Sequence, residues 1–246
     1  MAFELYFGLK VLNSAIRVKE MHNMGYITLS YALEEDSPVH IGLKNPELVH
    51  NNQIQENGYN TYLINVENHS GTHVDAPAHF LEDGKIISDY KPDELVFNSP
   101  IIVDIPKGPN ELMKIWDVSK IDFNDADCIL FRTGFEKFHR DDPEKYLTQN
   151  PGISPEVVYF IRKNLRNVRC IGIDCVSMSS YQNPQSSEEV HVNAFKKSKD
   201  FGEPLLLIED MKLGNVQNED LESIIVVPWQ IKGIDSAPCT VLAKVR

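Results

Sequence analysis

Eight apolar runs of four to six residues, rich in branched side chains, recur between Tyr26 and Val245 and point to a strand-built fold. They are Tyr26 to Leu29, Thr61 to Val66, Pro100 to Ile105, Cys128 to Phe131, Val168 to Ile173, Leu205 to Ile208, Ser223 to Val227 and Thr240 to Val245. One helix stands out among them. Ser154, Pro155 and Glu156 supply an N-cap and a first-turn proline, and Val157, Val158, Ile161 and Leu165 follow on one face. Asp141 to Pro143 and Tyr181 to Glu189 read as polar loops. The expectation is a strand-rich mixed α/β domain over residues 26–246. Ahead of it, Leu5, Leu9, Leu12 and Ile16 are spaced as a helix stripe, predicting an N-terminal helical extension over residues 1–25.

A formal charge of −12 repels phosphate backbones and anionic lipid, which excludes nucleic acid and membrane surfaces as partners and leaves small molecules. Glu4, Lys10, Arg17 and Lys19 interrupt the apolar positions of the N-terminus, so it reads as neither signal peptide nor membrane span. Cys128, Cys170, Cys175 and Cys239 form no Cys-x-x-Cys pair and read as reduced core thiols, which predicts a cytoplasmic protein.

Three of the eight histidines, His69, His73 and His79, crowd into the segment from His69 to Phe80, with Asp75 among them. Gly71, β-branched Thr72 and Val74, and Pro77 oppose a helix, so the segment reads as extended chain. Alternation then turns His69, His73 and Asp75 to one face, and Gly71 leaves room between the histidines. Two imidazoles and a carboxylate suit Zn²⁺ or Mn²⁺, and three protein ligands with an open position mark a catalytic site. Such an ion yields hydroxide at neutral pH, and His79 is left to move protons. A single histidine in a strand is usually a packed residue, but three imidazoles and a carboxylate gathered without a cation would waste hydrogen-bonding capacity.

His-Ser-Gly-Thr-His-Val-Asp-Ala-Pro-Ala-His-Phe resembles the signature of the cyclase family of metal-dependent hydrolases, which includes bacterial kynurenine formamidases and isatin hydrolases. Weaker echoes run from Leu29 to Leu33, Phe131 to Phe135, Gly172 to Asp174 with Ser177, and Ile231 to Gly233 with Ala237 and Pro238. The resemblance implies a swivelling β/β/α fold, usually homo-oligomeric, with one or two divalent ions. It assigns His69, His73 and Asp75 to metal and His79 to acid/base catalysis. A later histidine and glutamate complete the centre in the family, and His191 and Glu209 are the candidates, although their separation of eighteen positions exceeds the family's spacing. The implied activity is hydrolysis of a small amide or formamide in the manner of an arylformamidase. Ring opening of a lactone or imide, cyclisation, and a non-catalytic binding protein are the alternatives.

Arg132, after an apolar strand, anchors either a substrate carboxylate or an internal acid. His22, His40, His50 and His139 read as surface or loop histidines, and Trp116 and Trp229 as packing residues.

Overall fold

The computed structural model describes residues 25–246, so the expected N-terminal helix and His22 lie outside the described residues. Thirteen strands follow in chain order. They are β1 Gly25–Thr28, β2 Glu47–Asn52, β3 Thr61–Asn65, β4 His73–Asp75, β5 Val96–Phe97, β6 Pro100–Asp104, β7 Leu112–Met113, β8 Cys128–Arg132, β9 Gly152–Ile153, β10 Cys170–Ile173, β11 Leu206–Glu209, β12 Leu221–Pro228 and β13 Ser236–Val245. The two long helices are α1, Pro155–Asn164, and α2, Pro184–Phe195.

The main sheet runs β5-β12-β13-β4-β11-β10-β8-β6, with β1 added on β13. Strands β6, β8, β10 and β11 are parallel, and β4, β12, β13, β5 and β1 join through antiparallel pairs. Its two ends, β5 and β6, are separated in the chain only by Asn98 and Ser99, so the sheet curls round into a nearly closed barrel. The fold is therefore mixed α/β and strand-rich, as the apolar runs predicted.

The parallel strands read as continuous apolar runs because both their faces are covered. Cys128, Leu130, Cys170, Leu206 and Ile208 face an inner core with Val74 and Val241. Ile129, Phe131, Ile171, Ile173, Leu205 and Leu207 face outward under α1 and α2, where Val157, Val158, Ile161, Val190, Ala194 and Phe195 pack on them. The side-chain alternation of a strand thus separates two cores. All four cysteines are buried and unpaired. Among the described residues no helix is long and apolar enough to cross a membrane.

Two sequence expectations are corrected and one strand is added. The stretch Tyr181 to Glu189 is no continuous loop: α2 begins at Pro184, and its first turns are polar because only Val190, His191, Ala194 and Phe195 are buried. Strand β2 went unread because Glu47–Asn52 is exposed throughout or nearly so, and it pairs only with β3 in a ribbon outside the main sheet. Ser154 does precede α1, but its hydroxyl caps nothing.

Candidate metal centre

Strand β4 is the base of the site. It lies between β11 and β13, and its register sets Glu209 directly opposite His73 and Ser236 opposite Asp75. Direct cross-strand partners share a face. Val74 points into the inner core, so His73, Asp75 and Glu209 point together to the outer side, where α2 brings His191. Pro77 starts a short 3-10 turn that ends at His79 and returns its ring to the same place.

His69 arrives differently from the expectation. Only His73–Asp75 is strand, and His69 sits in a turn closed by Ser70 N–H donating to Glu67 O. Gly71 has a φ of +62°, and a Cβ there would stand 2.8 Å from Leu33 Cδ1. Alternation does not set the direction of His69; the left-handed turn at Gly71 does.

The hydrogen bonds fix most of the ring orientations. His73 Nδ1 lies 2.8 Å from Gly71 O and His191 Nδ1 lies 2.8 Å from Ser187 O. A carbonyl only accepts, so both Nδ1 atoms carry the proton and both Nε2 atoms present lone pairs. His73 Nε2 then faces Glu209 Oε2 at 3.4 Å and Asp75 Oδ1 at 3.6 Å, and His191 Nε2 faces Glu209 Oε1 at 3.6 Å. Glu209 Oε1 accepts from Met178 N–H at 2.6 Å and from Ser177 Oγ at 3.2 Å, which leaves Oε2 for the centre. His69 Nδ1 is 3.1 Å from Asp75 Oδ1 but not aligned as a hydrogen bond.

Burial works against a charge on His69, yet the carboxylates of Asp235 and Asp75 outweigh it and raise its pKa to about 10. His73, beside Asp75 and Glu209, and His191, beside Glu209, are raised against burial in the same way. Burial opposes ionisation of Asp75 and Glu209, but His73 and His69 hold the first below the usual carboxylate range, and His191 and His73 the second. The cluster is built to hold positive charge at its centre.

The residues fit a metal ion. His73 Nε2 and both carboxylate oxygens of Asp75 are buried with no hydrogen-bond partner among the described residues. All three are lone-pair atoms facing one another, and buried acceptors without a donor are costly unless a cation satisfies them. His69, His73 and Asp75 offer ligand atoms within 4.8 Å of one another, and so do Asp75, His79 and His191. The structure thus brings all six candidate residues together, including His191, whose long separation from Glu209 is spanned by the end of α2 and the loop before β11.

The model of the "Putative cyclase" family matches residues 27–180. The chain belongs to the cyclase family. It is 27% identical over 122 residues to an uncharacterized protein of Haemophilus influenzae, covering 47% of this chain and 82% of that one. It is 25% identical over 185 residues to a kynurenine formamidase of Bacillus cytotoxicus, covering 75% and 79%. Isatin hydrolase A from Labrenzia aggregata shares the fold, with a TM-score of 0.77 at 20% identity over 96% of this chain and 99% of its own. The cyclase-family resemblance read from the His69 to Phe80 segment agrees with the family model, the formamidase relative and the isatin hydrolase fold.

One acidic residue of this cyclase-family site escaped the sequence reading. Asp235 Oδ2 lies 2.8 Å from His79 Nδ1 and 3.2 Å from His69 Nε2, and these hydrogen bonds lower its pKa. It stands next to β13 in the echo between Gly233 and Ala237, but only the pairing of β13 with β4 reveals its neighbours. Other residues are reassigned. Arg132 makes a bidentate pair with Asp104 at 2.6 and 2.8 Å, the internal of its two alternatives. His139 is buried and stacks on Tyr31, not a surface histidine, because its short helix folds back over Asp210. Trp116 is 69% exposed and Trp229 is 40% exposed, so neither packs in the core. His40 and His50 are exposed, as expected.

Proposed function

We propose that this protein is a metal-dependent hydrolase that splits the C–N bond of a small amide or formamide, with N-formyl-L-kynurenine as the substrate to test first. The observation that carries this reading is the buried set of unsatisfied lone pairs on His73 and Asp75, with His79 beside it. Membership of the cyclase family supports a hydrolase, and the kynurenine formamidase relative supports the formamide.

His69, His73 and Asp75 would hold the ion, with His191 and Glu209 completing a second position beside Asp75. When bound, Zn²⁺ or Mn²⁺ supplies a Lewis acid for the carbonyl and a water that ionises near neutral pH. The chain's own contribution is placement and proton transfer. The Nδ1 of His79 is engaged by Asp235, which leaves Nε2 as the nitrogen free to work. Hydrolysis adds the elements of water across the C–N bond, hydroxide to the carbonyl carbon and a proton to the departing nitrogen, and His79 delivers that proton. His191 and His73 hold Glu209 ionised against its burial, and the bonds from Met178 N–H and Ser177 Oγ fix the carboxylate so that it keeps both rings turned inward.

The test is turnover of N-formyl-L-kynurenine, isatin and simple lactones by purified protein of measured metal content, before and after chelation. Turnover of the formamide is expected to vanish on chelation and return with Zn²⁺ or Mn²⁺. His79→Ala is expected to lower kcat by about 10²- to 10⁴-fold with the ion retained. Hydrolysis that survives chelation sinks the reading, and turnover confined to isatin or lactones moves the substrate to a cyclic amide or ester.

A further inference from the structure

We infer that Asp235 is the positioning residue of the site: it selects which nitrogen of His79 faces the reacting atoms, and Asn68 selects which way Asp235 can do so. Its catalytic consequence rests on the hydrolase reading, but the placement itself does not. Asp235 immediately precedes β13, and its backbone oxygen accepts from Ala76 N–H at 2.9 Å, so the β13–β4 register carries it to the ring of His79. The two residues are 156 positions apart.

The chain of donors runs in one direction. Asn68 Nδ2 lies 2.9 Å from Asp235 Oδ1, and a carboxylate oxygen only accepts, so the amide of Asn68 donates. The other oxygen, Oδ2, receives His79 Nδ1–H at 2.8 Å and His69 Nε2–H at 3.2 Å. One carboxylate oxygen therefore engages one nitrogen of each ring. His79 holds its proton on Nδ1 and works through Nε2, whereas His69 gives Nε2–H to Asp235 and turns Nδ1 toward Asp75. No other partner of His79 Nδ1 competes among the described residues. Nearby carboxylates orient catalytic and metal-binding imidazoles in this way in general, and loss of the orienting group selects the wrong tautomer.

The Asn68 contact makes the inference sharp. In Asp235→Asn, the amide of Asn68 still demands an acceptor, so the new side chain turns its oxygen to Asn68 and its NH₂ to the two rings. His79 Nδ1 must then accept, and its proton moves to Nε2. In the double variant Asn68→Asp with Asp235→Asn, the new carboxylate at 68 accepts the NH₂, and the amide oxygen at 235 faces His79 again. The two variants differ little in size and shape from the native side chains, so the backbone bond from Ala76 is kept.

The experiment is ¹⁵N-histidine NMR of the metal-free and zinc-loaded full-length protein, with metal content and steady-state kinetics on the same samples. Expected are a protonated Nδ1 at His79 in the native protein, a protonated Nε2 in Asp235→Asn, and recovery of the native tautomer in the double variant. With zinc retained, Asp235→Asn is expected to lower kcat by about 10²- to 10⁴-fold with little change in KM, and the double variant to regain most of it. Native tautomers in Asp235→Asn overturn the inference, as does loss of zinc from that variant equal to the loss from His73→Ala, which would make Asp235 a ligand. A tautomer switch in a protein without turnover on any substrate supports the placement and sinks only the hydrolase reading.

Discussion

Gly71 holds a left-handed turn between two proposed ligands, with Leu33 Cδ1 against the place a Cβ would take. Gly71→Ala should cost about 1 to 3 kcal/mol from backbone strain and the displaced leucine, and it should weaken metal binding by tilting His69. Denaturant unfolding and zinc titration of the variant check both; native affinity and stability together would show that the turn does not place the ring. Asp174 is a second residue whose neighbourhood is decisive. It accepts from Thr133 N–H at 2.8 Å, Thr133 Oγ1 at 2.6 Å and Gly134 N–H at 2.8 Å, but burial prevails and raises its pKa to about 6. A carboxyl with a raised folded pKa adds stability that is complete below its unfolded value near 4 and lost as pH rises through about 6. Relative to Asp174→Asn, which does not titrate, the native protein should gain up to about 3 kcal/mol between pH 7 and pH 4. A difference that stays flat with pH in denaturant unfolding would show that the three donors offset burial.

At the scale of elements, α2 matters most, because it carries His191 and ends in a loop. Its C-terminus is fastened by Arg162 of α1, a buried guanidinium that donates to the carbonyls of Asn193, Ala194, Lys196 and Gly202. Burial lowers its pKa to about 10, still far above neutrality, so the charge is retained. Arg162→Met leaves those carbonyls without their donor and should destabilise the protein by about 3 kcal/mol or more. Hydrogen exchange should accelerate over residues 191–196, and metal binding involving His191 should weaken. Unchanged exchange there would mean that α2 is held by its apolar face alone. The ribbon β2–β3 is the opposite case, with Leu63, Ile64 and Tyr62 more than half exposed and no place in the main sheet.

For the whole molecule, a ligand that binds only the folded state adds RT ln(1 + [L]/Kd) to stability. Zinc at about 100 times its Kd should therefore stabilise the native protein by about 2.7 kcal/mol, with the gain abolished in His73→Ala. Thermal unfolding with and without the ion checks this, and an unmoved Tm in saturating zinc would contradict a folded-state site. The same molecule shows how far local reading reaches. Helix α1 was legible because its proline start and apolar spacing lie within one segment. The pairing of His73 with Asp75 was legible because two positions along a strand share a face. The first turns of α2 were not, since Gln185 to Glu189 are all polar, none is fully buried, and they carry no apolar period.

What the sequence determined by itself was the strand-rich class, the buried cysteines and the crowding of imidazoles and a carboxylate between His69 and His79, because these depend on residue type and short spacing. Tertiary structure alone decided that Asp235 faces His79, that Arg132 turns to Asp104, and that His69 enters from a turn. Periodicity tells a side chain which face it occupies, whereas its partner across the fold is set by strand register and by where a helix lands, and both are properties of the assembled sheet.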